Sequence, residues 1–288
     1  MANTTAAVVV VGSLHYDIFV EAPHRPAAGE TVTGMRWFPK FGGKGGNQAV
    51  ATAQQDVRTL MVSAVGNDGF AEFLLAGLQT GGVDTAHVSR AKDVGTGMSV
   101  AISDASGDYG AVIVSGSNLM IDPQQLEVPE LWDGSTHLIL QNEIREETNL
   151  VAARAARSRD VVVCLNAAPW RPMSDEFLSL VDILVVNALE AEAMCGVDVN
   201  DLETAQKAAA ALSQRFAYVV VTAGGDGVAF ASDANKFAVP GEKVEVISTH
   251  GAGDCFIGTL VARLAAGDEF SRALELANRA AARHVSTY

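Results

Sequence analysis

With 288 residues, 49% of them hydrophobic and 19% charged, the chain can bury a sizeable core, and disorder does not fit that balance. A formal net charge of −14 argues against nucleic acid or an anionic membrane surface as partner, and no apolar run approaches the ~20 residues that span a bilayer. The cysteines Cys164, Cys195 and Cys255 are scattered, with no C-x-x-C pair, which suits a reduced cytoplasmic interior and not a disulfide or zinc framework.

The N-terminal run Ala7–Val11 lacks the positive flank and cleavage signature of a signal peptide and reads as a first core strand. Next, Ile18–Phe38 carries strand-like alternation between turn formers and no helical period. A helix is expected over Gly46–Gln55, a strand over Thr59–Val65 and a helix over Gly69–Gln79. Gly97–Val114 is a second strand-rich stretch, with turn residues at Ala105-Ser106-Gly107-Asp108. From there strands His137–Gln141, Val161–Leu165, Ile183–Val186 and Tyr218–Thr222 interleave with helices Glu146–Arg157, Glu190–Met194 and Leu202–Gln214. An apolar strand is then expected to run into Ser248, followed by an alanine-rich helix.

Most of these strands are continuously apolar, as strands buried on both faces of a parallel sheet must be. Their alternation with helices indicates a layered α/β fold with right-handed crossovers. The two stretches without helices would form a small antiparallel sheet apart from the main one, placed to cover ligands at the strand carboxyl ends.

Polar residues recur at those ends: His15 and Asp17 after the first strand, then Glu143, Asn166, Asn187 with Glu190, and Thr222 with Gly224, Gly225 and Gly227. Singly, each is more often a helix cap than a ligand contact; their recurrence at successive strand ends marks a ligand crevice. Two glycine clusters accompany them. Phe41-Gly42-Gly43-Lys44-Gly45-Gly46-Asn47-Gln48-Ala49 lets backbone approach a small polar ligand, and Lys44 and Asn47 add donors. It is no Walker A loop, because no Ser or Thr follows the lysine, and the G-x-G-x-x-G dinucleotide fingerprint is missing. In Ser248-Thr249-His250-Gly251-Ala252-Gly253-Asp254-Cys255-Phe256, small residues would put bare N–H groups and one carboxylate at a helix mouth. The first attract an anion and the second can take a proton from a hydroxyl, the two needs of phosphoryl transfer to an alcohol.

Taken together, Val10-Val11-Gly12-Ser13 with Asp17, Pro26…Gly29-Glu30-Thr31, the lysine-glycine loop, Asn166-Ala167-Ala168-Pro169, Asn187…Glu190-Ala191-Glu192, Thr222…Gly224…Gly227 and Gly251-Ala252-Gly253-Asp254 resemble the ribokinase-like carbohydrate kinases, in order and spacing, over nearly the whole chain. That resemblance implies a three-layer α/β/α domain over residues 1–288, with lid segments at about 16–40 and 96–115 that also pair two subunits into a homodimer. It implies a cytoplasmic, ATP- and magnesium-dependent kinase acting on the hydroxymethyl group of a small sugar, ribose or a related pentose first. Fructose, deoxyribose, pseudouridine or a nucleoside are the alternative substrates, and a catalytically weak sugar or nucleotide sensor is the alternative function. Asp254 would be the general base, with the N–H groups of Gly251, Ala252 and Gly253 as anion hole. His15, Asp17, Gly43, Lys44, Asn47, Glu143 and Asp254 itself would hold the sugar. Asn187 and Glu190 would organise magnesium and phosphate through water. Thr222, Gly224 and Gly227 would line the nucleotide, with Asn278 at the adenine pocket.

Two departures stand out. His15 replaces the Asn that usually touches the sugar in this family. Ser248 replaces an Asp that helps bind an activating monovalent cation, and the chain ends at Tyr288, ahead of the glycine-containing loop and helix that complete that cation site. Activation by K⁺ is therefore not expected.

Overall fold

The computed structural model describes residues 6–104 and 109–286. The expected turn at Ala105–Asp108 and the terminal Tyr288 lie outside the described residues. In chain order the elements are β1 (Ala7–Val11), β2 (His15–Glu21), β3 (Arg36–Gly42), α1 (Lys44–Ala53), β4 (Arg58–Val65), α2 (Gly69–Thr80), β5 (Asp84–Arg90), β6 (Met98–Ser103), β7 (Tyr109–Val114), β8 (Ser135–Gln141), α3 (Glu146–Arg157), β9 (Val162–Asn166), α4 (Asp175–Leu178), β10 (Ile183–Asn187), α5 (Ala188–Cys195), α6 (Leu202–Leu212), β11 (Tyr218–Thr222), β12 (Gly227–Ser232), β13 (Lys236–Pro240), α7 (Ala252–Ala265) and α8 (Phe270–Val285).

A nine-stranded sheet in the order β13-β12-β11-β10-β9-β8-β1-β4-β5 forms the middle layer. Its strands pair in parallel from β5 through β11, while β12 and β13 add an antiparallel edge. The continuous apolar runs are explained by burial on both faces. Val9 and Val11 of β1 pack in the core beneath α3, α4, α5 and α6, whereas Val8 and Val10 pack in the core beneath α1, α2, α7 and α8. The result is three layers, α/β/α.

A second, four-stranded sheet has the order β3-β2-β6-β7. It differs from the expected antiparallel sheet in one pairing: β2 runs parallel to β6. Both strands rise from the carboxyl side of the main sheet, β2 after β1 and β6 after β5, so they leave it in the same direction. A second difference lies upstream of Ser248. Residues 241–250 form no strand; the alternating charges Glu242, Lys243 and Glu245 have no partner strand, and Ile247 and Ser248 instead donate their N–H groups to the Val285 carbonyl. A third is the start of α1, which begins at Lys44 and so takes part of the expected loop into its first turn.

Candidate active site

The parallel strands deliver their last residues to one crevice, where open α/β sheets bind ligands. Asn166 ends β9, Asn187 ends β10 and caps α5, and Thr222 ends β11. Two helix N-termini close over these strand ends. Gly43 caps α1 with φ 88°, and a Cβ there would lie 2.7–2.8 Å from the backbone of Leu14, Ser13 and His15, so only glycine lets the loop sit against the β1–β2 link. Gly251 caps α7 with φ 75°, the left-handed region, and turns the chain into the helix with Asp254 in its first turn.

Asp254 is 7% exposed, and both of its oxygens are held from α1: Asn47 Nδ2 donates to Oδ2 at 3.1 Å and Gln48 Nε2 to Oδ1 at 2.8 Å. Burial pushes its carboxyl up to about 6, against the opposing pull of the Lys44 ammonium and the two amide donors. Around it lies a compartment of about 240 Å³ whose lining includes Lys44, Asn187, Glu190, Gly251 and Gly253. Of the helix-mouth N–H groups, that of Ala252 turns back to the Thr249 carbonyl at 3.3 Å.

Glu190 and Asn187 form a reciprocal capping box at the start of α5. Both Glu190 oxygens accept from Asn187, its backbone N–H at 2.8 Å and its amide at 3.0 Å, and burial raises the carboxyl above its ordinary range. Among the described residues, no group of three or more His, Cys, Asp and Glu side chains could hold a metal ion directly. The oxygen donors at this compartment fit instead a magnesium ion held mainly by phosphate and water.

A larger cavity of about 420 Å³ adjoins it and shares Thr222, Thr249, Gly253 and Phe256 as a common wall. Gly224, Gly227 and Asn278 line its far side with the apolar Val244, Val246 and Val285. Asn278, on α8, also donates to the Pro240 carbonyl at 2.8 Å, which ties the helix to the end of β13.

On the side of the small sheet, Glu143 Oε2 accepts from Ser13 Oγ at 2.5 Å and from the Lys44 backbone N–H at 2.8 Å. His15 is buried, with Nδ1 3.9 Å from that same oxygen and no hydrogen-bond partner at Nε2. Asp17 is buried on β2; Ser99 Oγ donates to it at 2.5 Å, and His250 Nε2 lies 3.8 Å away. His250 also meets Phe19 of β2 edge-on and so links the α7 turn to the small sheet. Ser248 sits two residues before, its Oγ accepting from the His250 N–H at 3.3 Å.

The residues expected from sequence therefore fall into three adjoining groups: Asp17, His15, Glu143 and Gly43 under the small sheet, Asp254 with Lys44, Asn47, Asn187, Glu190 and the Gly251-Ala252-Gly253 turn in the middle, and Thr222, Gly224, Gly227 and Asn278 beyond. Gln48, Ser13, Ser99 and His250 join them without having been expected as site residues. Gln48, Ser13 and His250 lie within the sequence motifs described above, though without an expected role. Ser99 gave no signal, being one serine in an alternating strand.

The sequence of residues 5–288 matches the model of the pfkB family carbohydrate kinases. The chain is 32% identical over 279 residues to ribokinase of Haemophilus influenzae, covering 96% of this chain and 91% of that protein. It is 36% identical over 265 residues to ribokinase of Mus musculus, covering 90% and 82%. The solved structure of Arabidopsis thaliana ribokinase complexed with ribose and ATP superposes with a TM-score of 0.91 at 27% identity, covering 98% of this chain and 93% of that one.

Proposed function

The chain belongs to the pfkB family of carbohydrate kinases, and on that premise we propose that it transfers the γ-phosphoryl group of ATP to the hydroxymethyl group of ribose or a closely related pentose. The observation that carries the proposal is Asp254: a buried carboxyl at a helix mouth, gripped by two amides, lining a polar compartment that shares a wall with a cavity large enough for a nucleotide. The relatives named ribokinase, and the complex of one with ribose and ATP, support ribose as acceptor.

A sugar hydroxyl is a poor nucleophile at neutral pH. Asp254 takes its proton as the oxygen attacks phosphorus, the bond between the γ-phosphorus and the bridging oxygen breaks, and ADP leaves. The N–H groups of Gly251 and Gly253 and the α7 dipole face the charge that develops on the phosphoryl oxygens. Asp17, Lys44, Asn47, Glu143 and the backbone of Gly43 orient the sugar. Thr222, Gly224, Gly227 and Asn278 hold the nucleotide. Magnesium bound near Asn187 and Glu190 would neutralise phosphate charge. The small sheet acts as a lid that keeps water from the phosphoryl group, within one domain spanning the chain, and it pairs two subunits.

The test is ADP release with ATP and Mg²⁺ across ribose, deoxyribose, fructose, pseudouridine and ordinary nucleosides, with and without K⁺. Ribose is expected to give the highest kcat/KM, and K⁺ to add little to it, since Ser248 supplies no carboxylate for a cation. On the acid side kcat/KM should rise through an apparent pKa of about 6, following Asp254. Binding of sugar without turnover anywhere in the panel would replace the kinase with a sensor.

A further inference from the structure

Gln48 is fully buried in α1, a helix whose inner face is otherwise glycine, alanine and threonine. A buried primary amide is costly unless its groups are paired. Its Nε2 has one partner, Asp254 Oδ1 at 2.8 Å, and its Oε1 has none. The side chain thus has one polar attachment, and that attachment is the carboxyl placed at the centre of the site.

The helices fix this contact from both sides. Gly258, one turn after Asp254 on α7, brings that helix so close to α1 that a Cβ there would lie 2.6 Å from the Gln48 carbonyl and from the Ala51 Cβ, and 2.9 Å from the Thr52 nitrogen. Thr52 Oγ1 donates to the Gln48 carbonyl at 2.7 Å, within the same turn of α1. The opposite carboxylate oxygen is held differently: Asn47, which donates to Oδ2 at 3.1 Å, is half-buried and lines an open cavity, where it can turn to a ligand.

We propose that Gln48 is the positioning residue for the base: its amide fixes Oδ1 of Asp254 and leaves Oδ2 as the oxygen that takes the acceptor's proton. This rests on the kinase function proposed above. It divides the two amides of the loop by task, Asn47 exchanging between base and substrate while Gln48 stays on the base throughout. A donor on the carboxylate favours its charged form, so Gln48 also holds the base ionised against the burial that opposes ionisation. The other charges bearing on Asp254 are Lys44, which favours the carboxylate, and Glu143, which opposes it; Glu190 lines the same compartment. None of these is altered by substitution at position 48.

The experiment is a ¹³C titration of aspartate carboxyls by NMR in the ligand-free protein, with Asp254→Asn used to assign the Asp254 resonance. Gln48→Met, which keeps the length and removes the donor, is expected to move the Asp254 midpoint upward by about one pH unit. Gln48→Asn, a smaller change in volume and polarity, is the second variant should the first not fold, and its shorter amide is expected to move the midpoint in the same direction. In turnover, Gln48→Met is expected to lose more kcat at pH 6 than at pH 8, with KM for sugar and for ATP little changed. An unmoved midpoint, or a loss of kcat equal at both pH values, overturns the assignment, because a purely structural amide would give that result. Absence of turnover in the unsubstituted protein would strike the kinase function alone, since the titration reads the carboxyl without substrate.

Discussion

A carboxyl that is more stable protonated inside the fold than outside it weakens the fold wherever it is ionised. Asp254 is such a group: its folded value is about 6 and its ordinary value 3.8. Between those pH values the folded state binds more protons than the unfolded one, so stability falls as pH rises through that window and stays lower at pH 7. The difference amounts to about 3 kcal/mol at most. Asp254→Asn should therefore recover part of it, raising Tm at pH 7 by a few degrees, while the two proteins converge at pH 4. The same substitution should lower turnover by at least ~100-fold with sugar binding retained. Differential scanning calorimetry at both pH values and a steady-state assay check the pair; near-normal turnover would remove Asp254 from the role of base, and a Tm that falls at pH 7 would show that the donor left facing the new NH2 outweighs the relief of the buried charge. That Asp254 would be surrounded by donors was legible only in part. The Gly-Ala-Gly turn announced a helix mouth, but Asn47 and Gln48 lie 207 and 206 positions away, and local sequence holds no trace of such a contact.

At the scale of elements, the strands that could be read were the ones buried on both faces. β1, β4, β8, β9, β10 and β11 are near-continuous apolar runs, and all six were expected within two residues of their ends. β5, with Asp84, Thr85, His87 and Ser89, lies at a sheet edge and is half-exposed, so it carries no such run. β12 and β13 follow a glycine-rich turn whose composition marks a ligand loop and gives no sign of the strands beyond it. The reverse error arose upstream of Ser248, where Val244, Val246 and Ile247 alternate like a strand but are exposed and line the large cavity in part. Helix packing carries the sharper consequence. Because α7 lies against α1 at Gly258 with backbone as the obstacle, Gly258→Ala must push the helices apart, and overpacking of this kind typically costs about 1–3 kcal/mol. Gly69, at the start of α2, has nothing within 4 Å of an added Cβ, so Gly69→Ala should be neutral or slightly stabilising. Urea denaturation of the two variants makes the comparison. In Gly258→Ala kcat should also fall, since the displaced α7 carries Asp254 away from Gln48, whereas Gly69→Ala should leave kcat unchanged.

For the whole molecule, the layered α/β/α arrangement was legible because alternation of apolar strands with helices admits few topologies. The antiparallel edge β11-β12-β13 and the parallel β2–β6 pair were not, since direction depends on where connections cross and not on local pattern. The assembly of the molecule is the remaining question, and the small sheet bears on it. Its edge strand β7 exposes three successive apolar residues, Val112 at 67%, Ile113 at 59% and Val114 at 50%. Successive residues of a strand point to opposite faces, so both faces of this edge are apolar and open. The opposite edge, β3, exposes Trp37 at 64%, next to an equally exposed Met35. Edges of that kind pair with another chain unless something covers them. With an acidic chain disfavouring random association, a second copy joined through the small sheets is the expected partner, and pairing would hold each lid over its own site. Sedimentation analysis at micromolar concentration should give a dimer. Val112→Lys with Ile113→Glu should give a folded monomer whose KM for sugar rises while its Tm changes little, because both side chains are exposed and belong to neither core. A charged variant that still dimerises would place the contact elsewhere, and a monomeric unsubstituted protein would leave the small sheet only the proposed role of lid.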